Sequence, residues 1–65
     1  MSITLKAARV NKNLTQREAA EVMGISVETI KNWEAGRSYP NVIQLKKIEQ
    51  TYDVSSNDIN FLGFF

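Results

Sequence analysis

The twenty residues at 16–35 constrain the fold more than any other stretch of this chain. Small Ala20 sits where two helices must cross closely. Gly24 sits at the turn between them, where a left-handed backbone costs least without a side chain. Ile25, Ile30 and Trp33 fall where the second helix must face a core. This spacing predicts two short helices joined by a tight turn, a helix-turn-helix.

The remainder offers little room for anything else. The chain has 65 residues, enough for a single domain over 1–65. A chain of that size buries only roughly 60% of its unfolded surface. It has neither cysteine nor histidine. Disulfides, a thiol nucleophile, a zinc site and the usual general base are therefore all excluded. No phosphate loop or carboxylate constellation replaces them, so an enzyme is not expected, and neither is a cofactor or a metal. The apolar runs are too short to span a membrane, and the first ten residues do not resemble a signal peptide. A reducing cytoplasm fits the composition.

Capping signals divide the chain into five expected helices with no strand. Thr4 caps a first helix reaching about residue 12, and Asn13 can take the left-handed conformation that ends it. Thr15 and Glu18 form a capping box for a second helix ending at Met23. Ser26 caps a third, from Val27 to about Glu34, and Gly36 stops it. Asn41, after Pro40, caps a fourth to about Tyr52. Ser55 and Asp58 imitate a capping box and predict a short fifth helix near 56–61. Apolar residues recur at helical spacing. They predict one core of Leu5, Ala8, Leu14, Ala19, Val22, Met23, Ile25, Ile30, Trp33, Val42, Leu45, Ile48, Val54 and Ile59.

Net charge is only +1, from 8 basic and 7 acidic residues. Distribution says more than the sum. Lys6, Arg9, Lys12 and Arg17 lie in the first eighteen residues with Glu18 as the only acid there. From residue 53 onward the chain holds Asp53 and Asp58 and no base. With Ile30 and Trp33 facing inward, the third helix should expose Val27, Glu28, Lys31 and Asn32. A helix-turn-helix commonly lays such a face in the major groove of DNA. Asn32 suits the adenine edge, Lys31 a guanine or a phosphate, Val27 a thymine methyl and Glu28 the cytosine amino group. The same four residues would also make an ordinary solvated helix face, with Glu28 and Lys31 an i,i+3 pair.

Phosphate contacts are expected from Gln16 and Arg17, at the positive amide end of the second helix, with Lys6 and Arg37 on the flanks. The start of the fourth helix, near 41–43, is a further candidate. Lys46 and Lys47 are assigned to solvent. Arg9 and Glu34 are expected to pair and tie the first helix to the third.

Taken together, Leu14, Thr15, Gln16, Ala20, the run 23–26, the run 30–37, Pro40, Leu45, Ile48 and the Val54–Ser55 pair resemble the lambda-repressor-like, or Cro/repressor (XRE), family. The resemblance covers nearly the whole chain, and its Trp33, Glu34, Gly36 and Pro40 pattern is quite specific. It implies an all-α five-helix fold and sequence-specific binding of a double-stranded DNA operator. It also implies transcriptional control in the cytoplasm, usually repression, by a homodimer. By resemblance Gln16 touches phosphate and supports the third helix, Val27, Glu28, Lys31 and Asn32 read bases, and Arg9 pairs with Glu34. Two departures stand out. Val27 and Glu28 replace the polar residues many members carry, so base preference does not transfer. Glu49 replaces a common alanine, which implies looser packing of the fourth helix. No ligand-sensing or self-cleaving domain is expected, as in compact phage or mobile-element regulators. Phe61, Phe64 and Phe65 crowd the last five residues and are expected either to cover the core or to make a dimer contact. An antitoxin or anti-repressor acting through a protein partner is the alternative role.

Overall fold

The computed structural model describes residues 2–61. Four α-helices follow the capping signals. Strand β1 (Ile3–Thr4) leads into α1 (Leu5–Asn11), where Thr4 Oγ1 accepts from the Ala7 amide at 3.0 Å. Helix α2 (Gln16–Met23) opens on a complete capping box. The Glu18 amide donates to Thr15 Oγ1 at 3.0 Å, and the Thr15 amide donates back to Glu18 Oε1 at 2.9 Å. Gly24 ends α2 in the left-handed region at φ 70°. Helix α3 (Val27–Glu34) starts under Ser26, whose Oγ accepts from the Thr29 amide. Helix α4 (Val42–Tyr52) carries a second box, between Asn41 and Gln44, of which only the Asn41 half was expected.

The expected fifth helix is not formed. Residues Ser56–Asp58 make one 3-10 turn, and the chain then extends as β2 (Ile59–Asn60). The cause is local. Ser55 Oγ accepts from the amide two residues on, at Asn57, which closes a tight turn rather than starting an α turn. Ile59 then lies extended and buried, opposite Ile3 in a parallel two-residue pairing, with Thr4 opposite Asn60. A pair that short carries no alternation a sequence could reveal. The fold is therefore four helices with a small parallel bridge joining the two ends of the described chain.

Leu5, Ala8, Ala19, Ala20, Met23, Ile30, Trp33, Ile48, Tyr52, Ile59 and Phe61 form the core, with Leu14, Ile25, Val27, Leu45 and Val54 packed on its edge. Two expected core residues lie outside it: Val22 is 64% exposed and Val42 is 70% exposed. Both miss the stripe by phase. In α2 the buried face runs through Ala19, Ala20 and Met23, and Val22 stands about 100° from its centre. In α4 the Leu45, Ile48 and Tyr52 stripe runs back to Asn41 rather than Val42.

Glu49, which departs from the family pattern, makes a contact an alanine could not. Its Oε2 accepts from the Ser56 amide at 2.7 Å, fastening the 3-10 turn to the helix. That backbone hydrogen bond holds the Glu49 carboxyl below its ordinary range.

Candidate nucleic-acid interface

The site is built backwards from the core. Ile30 and Trp33 are buried, which fixes the rotation of α3. Glu28 and Lys31 are then exposed and Asn32 half-exposed on the opposite face. Val27 is different from expectation: it is half-buried and leans on the core edge, at the flank of this face rather than its centre. The position the sequence reading missed is Ala35. It is exposed and seven residues after Glu28, so two helical turns return it to the same side.

Behind this face lies a buried polar cluster. Arg9 Nε donates to Glu34 Oε2 at 2.7 Å and Arg9 Nη2 to Glu34 Oε1 at 3.3 Å, a fork on one carboxylate. Only 9% and 6% of the two side chains are exposed. Arg9 Nη1 donates to the Leu14 carbonyl at 2.7 Å. Gln16 Nε2 donates to Glu34 Oε1 at 3.1 Å. Four pieces are fastened together: α1, the turn before α2, the first residue of α2 and the last of α3. The hydrogen bond to Glu34 raises the Arg9 pKa against the opposing effect of burial. Tyr52 lies close enough to feel both charges. Burial pushes its phenol up to about 12, helped by Glu34 and opposed by Arg9. Its hydroxyl is buried with no hydrogen-bond partner.

The other predicted residues sort clearly. An amide nitrogen has two N–H donors, so Gln16 keeps one beyond the bond to Glu34. Lys6, Arg17 and Arg37 are exposed. Arg37 is placed by its backbone: its amide donates to the Asn32 carbonyl at 2.9 Å as Gly36 turns at φ 76°. Arg9 is not available to a ligand, because its guanidinium is consumed inside. Lys12 reaches Asp53 at 3.5 Å on the surface. Lys47 is exposed, as assigned, and its Nζ also donates to the Met23 carbonyl at 3.2 Å, closing the end of α2. Phe61 is turned inward, 5% exposed, with its ring centroid 4.8 Å from that of Tyr39. It covers the core and is not available as a dimer contact. Phe64 and Phe65 lie outside the described residues.

Among the described residues no three His, Cys, Asp or Glu side chains are grouped to hold a metal, and no helix is long and apolar enough to cross a membrane.

The family model described as helix-turn-helix matches residues 5–59. The chain belongs to this helix-turn-helix family, of the XRE type. The helix-turn-helix domain is also similar to the HTH-type transcriptional activator BcrR of Enterococcus faecalis, with 38% identity over 55 residues. That match covers 85% of this chain and 27% of the relative, so the chain spans about a quarter of that protein's length. No solved structure gives a significant match.

Proposed function

We propose that this helix-turn-helix domain binds double-stranded DNA in a sequence-specific way and regulates transcription by placing α3 in the major groove. The observation that carries this reading is the exposed Glu28, Lys31 and Asn32 face of α3, backed by the buried Arg9–Glu34–Gln16 cluster. A face that must present donors and acceptors to base edges gains from a rigid rear. Asn32 and Lys31 carry base readout, with Glu28 at a cytosine and Val27 beside a thymine methyl at the flank. Gln16, Arg17, Lys6 and Arg37 hold phosphates and set the register.

Two copies on a near-palindromic operator would place two α3 helices about one DNA turn, roughly 34 Å, apart. The domain acts in the cytoplasm. Its effect on transcription follows from where that operator lies. Across a promoter, occupancy represses, as the resemblance to phage and mobile-element regulators implies. Upstream of it, the domain supports activation, the role named for the enterococcal relative.

Selection of bound sequences from a random duplex library, at near-physiological salt, tests the reading. An enriched inverted repeat supports it. Weak salt-labile binding without enrichment rejects it in favour of a protein partner. Near-neutral net charge is the feature that keeps that second role in view.

A further inference from the structure

Two adjacent residues at the start of α3 carry opposite chemistries. Glu28 is exposed, and among the described residues its carboxylate has no hydrogen-bond or ion-pair partner. The i,i+3 pair with Lys31 is not formed. Val27 is half-buried and packs on the core edge, and its β-branched side chain is stiff, so the part left open is a fixed apolar wall. An acid in the first turn suits the helix dipole. That role accounts for Glu28 alone and says nothing of the wall next to it.

A carboxylate brought to DNA is repelled by phosphate unless it meets a donor. In the major groove the donors are the amino groups of cytosine and adenine, and the apolar feature is a methyl group. Consecutive residues have Cα atoms about 3.8 Å apart and stacked bases lie about 3.4 Å apart, so the two side chains address one base or adjoining ones. Adenine sets its N7 acceptor beside the amino group. A thymine under Val27 supplies the methyl, but its O4 acceptor then lies within one base step of the carboxylate. One base offers a methyl and a donor with no acceptor on that edge. It is cytosine methylated at C5, whose methyl and amino groups stand on neighbouring ring carbons.

We infer that Val27 and Glu28 together read 5-methylcytosine, so that this domain distinguishes methylated from unmethylated DNA. The inference rests on the DNA-binding reading and adds to it the modification state of the site. Glu28 accepts from the N4 amino group and Val27 covers the C5 methyl. The same arrangement sorts other methyl marks. A methyl on cytosine N4 or adenine N6 replaces the hydrogen that points into the major groove, so Glu28 loses its donor. A methyl at C5 leaves that hydrogen in place and adds apolar contact.

The test begins with selection from two random duplex libraries, one built with cytosine and one with 5-methylcytosine. Glu28→Gln, which donates as well as accepts, locates the contact as the base pair whose preference it relaxes. Duplexes with cytosine, 5-methylcytosine, N4-methylcytosine or thymine at that position are then titrated with the wild-type chain. Binding to 5-methylcytosine is expected to be about fourfold tighter than to cytosine, the effect of burying one methyl group. N4-methylcytosine and thymine should be weaker than cytosine by about tenfold. In Val27→Ala the fourfold gain should disappear while the preference for cytosine over thymine stays. A helix merely loosened by the substitution would lose both together, which counts against the inference. Equal or weaker wild-type binding to 5-methylcytosine overturns it without any variant, as does a site in which no base pair depends on Glu28. A preference for thymine next to cytosine with no gain from methylation assigns the two residues to two bases and overturns it too. A chain that enriches no site from either library rejects the DNA-binding reading itself, and the inference falls with it.

Discussion

Gln16 Nε2 and Arg9 Nη2 converge on one atom, Oε1 of Glu34, at 3.1 and 3.3 Å. The first residue of α2 and the last turn of α1 are thereby referred to the last residue of α3. Glu34 is the hub, and each partner depends on it for a different purpose. Arg9 is an internal strut. Gln16 stands at the surface with a second N–H to spend on a ligand.

Removing the strut leaves a carboxylate buried and unpaired. Arg9→Ala is expected to cost about 3–5 kcal/mol, the range for breaking one partner of a buried pair. The double variant Arg9→Met with Glu34→Leu should cost much less, because it removes both charges and fills the space. Urea denaturation of the three proteins measures both numbers. A single variant within 1 kcal/mol of wild type, as an estimate of what an exposed pair contributes, would show the pair to be solvated after all.

The outer face of α3 should respond in another currency. Asn32→Ala is expected to leave the urea midpoint nearly unchanged and to cost about 1–3 kcal/mol on the preferred site, with relaxed selection at one base pair. Arg17→Ala should weaken binding equally across sequences and lower the salt slope by about one, whereas uncharged Gln16→Ala should weaken binding with the slope unchanged. Titrations at several salt concentrations, on preferred and scrambled duplexes, separate the two. An Asn32→Ala protein with unaltered preference would remove that residue from readout.

How much of this was legible beforehand depended on whether a residue announces itself locally. Thr15 with Glu18, Gly24 and Gly36 gave the bounds of α2 and α3, because caps and left-handed turns are written in a few adjacent residues. The Arg9–Glu34 pair was reached through resemblance and helix phase. What escaped was set by tertiary context. Ser55 and Asp58 have capping chemistry, yet the burial of Ile59 opposite Ile3 draws the chain out straight. Val22 and Val42 are hydrophobic enough for the core but lie off the phase of their helices. Lys47 is exposed as read, but its bond to the Met23 carbonyl shows only once the end of α2 is placed beside it.

Gly24 makes a test of pure backbone cost. Its φ is 70°, and a Cβ built there meets nothing within 4 Å. No clash therefore opposes a side chain, only the left-handed conformation itself. Gly24→Ala should lose about 1 kcal/mol, and Gly24→Asn less, since Asn tolerates that region. Thermal melts should rank wild type, Asn and Ala in that order. An alanine variant as stable as wild type would mean the turn relaxes to another conformation.

Tyr52 links the buried cluster to pH. The side chain is 2% exposed, its hydroxyl has no partner, and burial pushes its pKa up to about 12. The folded state thus holds the phenol proton more tightly than the unfolded chain, whose tyrosine titrates near 10. The stabilising contribution is complete below pH 10. It is lost as pH rises through 12, because the unfolded chain gives up its proton first. Two pK units correspond to about 2.7 kcal/mol by that upper limit. Tyr52→Phe cannot ionise, so its stability should fall less steeply over this window, and the gap between variant and wild type should widen by about 2–3 kcal/mol. At pH 7 the same variant should be more stable by about 0.5–1 kcal/mol, because it no longer buries an unpaired hydroxyl. Urea titrations at pH 7, 10 and 11.5 check both signs. Parallel alkaline curves would mean the phenol is solvated or finds an acceptor as the chain moves.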